Sequence, residues 1–191
     1  ALESIDISPV HALRPADHGL DIHIVPMRLQ LLRAGLDGAV ISGTGHQSPA
    51  LVSAGKVMSA IDIRRNGPMH KSDFLNKMAF GTYNDKFENP RTSSDWLSRD
   101  EAAVDLYNED PLCGFVPTAG LLHDMMNGIA FVTQPKNIAR MKKDLPILFV
   151  SGDCDPVGEQ GRGVIRAYKC FLKAGMKDVT MKLYHGGRHG M

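Results

Sequence analysis

The sequence predicts an α/β fold built on a parallel sheet, and three observations carry the prediction. Residues 145–150, Leu-Pro-Ile-Leu-Phe-Val, are a short apolar run that reads as a buried strand. Residues 161–174 set Val164, Ile165, Tyr168, Phe171 and Leu172 on one helical face, with Gly175 placed to end the helix, and residues 179–184 alternate as a second strand. Strand, helix and strand at this length form a βαβ unit, so the strands run parallel with a right-handed crossover. The third observation lies upstream. Residues 36–42 are another buried-strand candidate, and several helical patterns without a convincing strand separate them from residue 145.

Composition sets the bounds. A chain of 191 residues with 43% hydrophobic and 23% charged residues has the make-up of a globular domain. At that size it buries about 70% of its unfolded surface. Its 22 basic and 21 acidic residues are well mixed, so no nucleic-acid-binding surface is expected. No apolar run approaches the roughly 18 residues of a membrane span. Cys113, Cys154 and Cys170 form neither a disulfide framework nor a CxxC pattern, which points to a reducing, cytoplasmic setting. No charged stretch followed by an apolar core opens the chain, so no signal peptide is expected.

Taken in order, residues 1–26 read as an irregular segment with short apolar pieces, and residues 27–34 as a short helix stopped by Gly35. The division is therefore 1–35 and 36–191. The strand at 36–42 leaves through Gly43, Thr44 and Gly45. Ser48 and Pro49 are an N-cap and first-turn pair, and the helix they start ends at Gly67 and Pro68. Ser72 is placed to cap Asp73–Phe80, Asp100 to cap 101–108 and Thr118 to cap 119–131, while Pro135 opens 136–142. The insertion spans about 68–143. Leu121, Leu122, Met125 and Met126 make one side of it apolar. They pack the insertion onto the sheet or line a pocket for an acyl chain.

The loops after 145–150 and 179–184 leave the carboxyl ends of parallel strands, the edge where open α/β sheets place their sites. Asp155 in one loop and His189 in the other are thereby brought together, with Asp153 and His185 as rivals. Esters and amides are cleaved by a serine whose hydroxyl gives its proton to a histidine that an acid orients.

Gly152, Asp155, Pro156 and Val157, with Gly187, Arg188 and His189, resemble the acid and histidine loops of α/β-hydrolases. The nearest likeness is to the monoacylglycerol lipase, lysophospholipase and serine aminopeptidase-like members. Phe80-Gly-Thr-Tyr-Asn84, Asp95-Trp-Leu-Ser-Arg-Asp100 and Asp110-Pro-Leu-Cys-Gly-Phe115 look like the cap region of bacterial members, and the likeness reaches back to about Leu31. The resemblance implies a helical cap and hydrolysis of small acyl-ester or lipid-like substrates without a cofactor. It assigns Asp155 as the acid, directly before Pro156 and Val157, and His189 as the base.

The same family carries a Gly-x-Ser-x-Gly elbow, due here shortly before Leu36, and this sequence has none there or elsewhere. The chain also ends two residues after His189, where family members run on into another helix. The expectation is an incomplete α/β-hydrolase-type sheet that supplies two triad members of three. Ser42, before Gly43-Thr44-Gly45, imitates an elbow superficially, but the resemblance puts its strand beside the nucleophile strand. Ser42 and Ser151 both read more plainly as turn or backbone-bonding serines.

Two other readings stay open. One is a metal-dependent hydrolase using His11, Asp17, His18, Asp21 and His23, residue types that suit zinc in a spacing that matches no known site. The other is a ligand-binding module that keeps the pocket without turnover. Finally, the strand at 36–42 would lack its usual neighbour, so residues 1–26 or a second copy are expected to cover it, the latter giving a homo-oligomer.

Overall fold

In the computed structural model of the chain, residues 37–190 are described. Three strands, β1 (Ala39–Ser42), β2 (Ile147–Gly152) and β3 (Val179–Tyr184), form one sheet in the order β1-β2-β3, parallel throughout. The helices α1 (Pro49–Asn66), α2 (Asp73–Phe80), α3 (Glu101–Glu109), α4 (Ala119–Val132) and α5 (Pro135–Ile138) lie between β1 and β2. A single helix, α6 (Arg162–Lys173), joins β2 to β3 and completes the βαβ unit. The helix expected at 27–34 and the segment 1–26 lie outside the described residues.

Alternation along the strands sorts the two faces. Ile147, Phe149 and Val179 are buried, with Ala39, Ile41, Met181 and Leu183 packed against them. Helix α6 covers this face with Val164, Ala167 and Phe171. The Phe149 and Phe171 rings meet edge to face, 5.1 Å apart at 90°. The other face is open, with Val40 68% exposed.

Helix starts follow their caps. Ser48 Oγ accepts from Leu51 N, Ser72 Oγ from Leu75 N, Asp100 Oδ1 from Ala102 N and Thr118 Oγ1 from Leu121 N. Each cap satisfies an otherwise orphaned donor and contributes about 1 kcal/mol. Helices α1 and α4 lie against each other. Ser59, buried on α1, meets His123 Nδ1 on α4 at 3.0 Å. Leu75, Ala119 and Leu122 form a second small core joined by Met58, Phe80 and Met125.

Several boundaries differ from expectation. Strands β1 and β2 begin later than 36 and 145, because pairing starts where Ala39 stands opposite Ile147. Strand β2 also runs on through Ser151 and Gly152, which pair with Leu183 and Tyr184 of β3. Helix α5 stops at Ile138 rather than 142, since Met141 N bonds Ile138 O in a tight turn that buries both side chains. A short 3₁₀ turn at Asp95–Leu97 was not expected from the sequence.

Candidate active site

The site is built where the β2 and β3 exits touch. A Cβ on Gly152 would lie 2.0 Å from the Gly187 carbonyl oxygen, so only glycine lets the two loops lie backbone to backbone. Cys154 N donates to that same Gly187 oxygen at 2.9 Å. The contact aims Asp155 at the histidine loop. Asp155 is 0% exposed. Its Oδ1 accepts from Val157 N at 2.9 Å, and its Oδ2 accepts from His189 Nδ1 at 3.0 Å. A buried carboxylate needs such donors. It offers only lone pairs, so Nδ1 bears the hydrogen and Nε2 keeps its lone pair.

Ser151, fully buried at the end of β2, donates to Asp155 Oδ2 at 3.4 Å. Its hydroxyl is thus occupied behind the acid.

His189 is half-buried and held on further sides. A Cβ on Gly43, whose φ is +57°, would stand 2.9 Å from His189 Cε1, so the imidazole rests over the end of β1. His189 N donates to Trp96 O at 3.4 Å, and Gly190 N to Leu97 O. Arg188 donates to the carbonyls of Asp95 and Ser98 and lies over the Phe87 ring, 4.3 Å from its centroid. The Trp96 ring stands 5.4 Å from the His189 ring, and Tyr83 packs on Trp96 at 4.8 Å. Burial pushes the Tyr83 phenol up, and the nearby Asp155 carboxylate adds to the effect. Trp96, Tyr83 and Arg188 were not singled out from the sequence as site residues. The signal for them was that all three lie in the stretches that carry the family resemblance, and that Trp96 is the one tryptophan in the chain.

The rival pair also meets. Asp153 Oδ2 accepts from His185 Nδ1 at 3.0 Å and Oδ1 from Gly186 N at 2.7 Å. The His185 side chain is fully exposed. The hydrogen bond from His185 holds the Asp153 carboxyl below the usual range, against a smaller opposing effect of burial.

Ser42 lies exposed at the end of β1 and borders a depression on the open sheet face with Val40, Gly187 and Gly190. Among the described residues no serine hydroxyl is hydrogen-bonded to His189. An apolar groove of about 660 Å³ runs through the insertion, bounded by Phe80, Trp96, Phe115, Leu121, Leu122 and Met125. Met126 packs on α1, where a Cβ on Gly55 would lie 3.1 Å from its sulfur. The His11–His23 set lies outside the described residues. Among those described, no cluster of three or more histidines, cysteines or acids is arranged to hold a metal. No described helix is long and apolar enough to cross a membrane.

The family model described as "Serine aminopeptidase, S33" matches residues 27–191. Among solved structures, a thermostable carboxyl esterase from Bacillus coagulans in complex with glycerol is similar at TM-score 0.75 and 25% identity, over 85% of this chain and 53% of that one. A lipase in its open form is similar at TM-score 0.73 and 23% identity, over the same 85% and 53%. A monoacylglycerol lipase from Paleococcus ferrophilus follows at TM-score 0.56 and 20% identity, over 87% and 56%. The chain thus spans about half the length of the structures it matches. No curated protein matches the sequence. With most of its length matched by that family model, and its parallel sheet and helices shared with those hydrolases, this chain belongs to the serine aminopeptidase-type α/β-hydrolases.

Proposed function

We propose that this chain contributes the acid and the histidine of a serine-type ester hydrolase, acting on small acyl-ester or lipid-like substrates. The carrying observation is the buried Asp155 carboxylate 3.0 Å from His189 Nδ1, at the carboxyl edge of a parallel sheet. In this reading Asp155 fixes the Nδ1 hydrogen and stabilises the imidazolium. Nε2 takes the proton from an attacking hydroxyl as its oxygen bonds the ester carbonyl carbon. The same proton then goes to the alcohol that leaves as the acyl–oxygen bond breaks. The nucleophile is unassigned, and Ser42 is a weak candidate for it.

The segment 68–143 acts as a cap whose groove receives the acyl chain. Leu121, Leu122 and Met125 on its wall support this role. The exposed Val40 supports coverage of β1 by residues 1–26 or by a second copy in a homo-oligomer. Free Cys113, Cys154 and Cys170 support a cytoplasmic setting.

The test is p-nitrophenyl acetate hydrolysis beside labelling by a fluorophosphonate probe. The expected result is weak hydrolysis that His189→Ala removes, with no labelled serine. One labelled serine with strong turnover would assign the nucleophile. Turnover unchanged in His189→Ala would sink the mechanism. Strong, probe-insensitive turnover lost to a chelator would move the site to the His11–His23 set. Acyl-ligand binding without any turnover would favour the binding-module reading.

A further inference from the structure

We propose that Trp96 is the specificity-determining wall of this site. Its indole both bounds the groove and stands against His189, so the space beside it sets which acyl chains can bring a carbonyl to Nε2. The inference rests on the ester-hydrolysis reading above and names the residue that selects the substrate within it.

The argument begins with how firmly the wall is held. Trp96 N donates to Asn84 Oδ1 at 2.9 Å, and Asn84 Nδ2 donates to Thr92 O at 2.8 Å. The adjacent Asp95 carboxylate is buried and accepts from Arg91 N and Thr92 Oγ1, both at 2.6 Å. Burial alone would raise the Asp95 carboxyl, but these hydrogen bonds bring it below its ordinary range. Arg188 ties the Asp95 and Ser98 carbonyls to the histidine loop. Tyr83 buttresses the indole edge-on, and Phe80 stands behind Tyr83 at 5.7 Å. These bonds fix the Trp96 backbone, and the indole itself is held between the Tyr83 and His189 rings, so selection at this point is steric. The groove is apolar along Leu121, Leu122 and Met125, which suits an alkyl chain. Of the residues that bound it, Trp96 is the one whose ring stands against His189, 5.4 Å between centroids.

The experiment uses linear 2-alkanones of increasing length, ester mimics that cannot be hydrolysed, so no nucleophile is needed. Affinity is measured by calorimetry, and the His189 Cε1–H signal by NMR reports whether the carbonyl end sits at the imidazole. In the wild type, affinity should rise about fourfold per methylene until the chain fills the space, then level off. In Trp96→Ala the levelling should move to longer chains. In Trp96→Phe, which keeps an aromatic contact to Tyr83 and His189, it should move less and in the same direction. That second variant carries the test if Trp96→Ala does not fold. Leu121→Trp, which narrows the groove itself, should shorten the limit. If Leu121→Trp shortens it while both Trp96 variants leave it unmoved, the assignment of Trp96 is overturned and the acyl-groove reading stands. If affinity has no chain-length dependence and Leu121→Trp changes nothing, the groove is not an acyl site and both readings fall.

Discussion

Replacing Asp155 with asparagine separates orientation of the histidine from mere proximity to it. The carboxylate accepts on both oxygens, from Val157 N at 2.9 Å on Oδ1 and from His189 Nδ1 at 3.0 Å on Oδ2, with the Ser151 hydroxyl 3.4 Å from Oδ2 as well. An asparagine can keep its Oδ1 on Val157, but its amide then faces Nδ1. Two donors cannot share one hydrogen bond, so the imidazole hydrogen must move to Nε2. A hydrogen bond to a charged group contributes about 1.5–3 kcal/mol and a neutral one about 0.5–1.5. The net loss of stability is therefore about 1–2 kcal/mol, undiscounted for solvent because Asp155 is fully buried. The chemical effect is larger. With Nε2 protonated there is no base, and any turnover that relies on His189 should fall about 10³- to 10⁴-fold. Urea unfolding measures the first effect, and long-range ¹⁵N–¹H correlation of the imidazole measures the tautomer. An Asp155→Asn protein whose Nδ1 stays protonated would refute the reasoning, whatever its stability.

Three other perturbations follow from the geometry. Gly152→Ala puts a carbon 2.0 Å from the Gly187 oxygen, a backbone atom that cannot rotate away, so unfolding in urea should show a loss near 3 kcal/mol and the His189 Nδ1–H signal should change. Because His185 holds the folded Asp153 carboxyl low, this pair contributes stability present above the ordinary carboxylate pKa of about 3.9 and lost as pH falls through the lowered value. His185→Ala should flatten the decline of stability below about pH 4, and parallel wild-type and variant curves in that window would reject the linkage. Light scattering should give an assembly larger than a monomer or, if residues 1–26 cover β1, a monomer whose Val40 amide is protected from hydrogen exchange; a monomer with that amide in free exchange would contradict both.

What the sequence discloses depends on how local the cause is. Ser48, Ser72, Asp100 and Thr118 were legible as caps because donor and acceptor lie within three residues of each other. The starts of β1 and β2 were not, because they depend on register: Ile147 has to face Ala39 on one side and Val179 on the other. The packing of Met126 on Gly55 of α1 was not legible for a related reason, since it depends on how two helices distant in sequence meet. The meeting of Asp155 with His189 was readable because a parallel βαβ unit puts both exits on one edge. Trp96 and Tyr83 were not, since their approach to the histidine depends on how a long insertion folds back over the sheet.

Distance alone does not distinguish the two acid–histidine pairs, since both stand at 3.0 Å. Their surroundings do. The His185 side chain is fully exposed, so its bond to Asp153 competes with solvent, fixes no tautomer firmly and serves mainly to close the loop through Gly186. Asp155 is shut off from bulk solvent, and each carboxylate oxygen already has a protein donor. In that low-dielectric position the hydrogen bond is strong, and it engages Nδ1 while Nε2 has no hydrogen bond among the described residues. The glycines at 43 and 152 then matter as much as the acid. The first leaves room for the imidazole over β1, and the second lets the two loops close until the carboxylate reaches it. The Asp155–His189 contact owes as much to burial and to these two missing side chains as to the acid and the imidazole themselves.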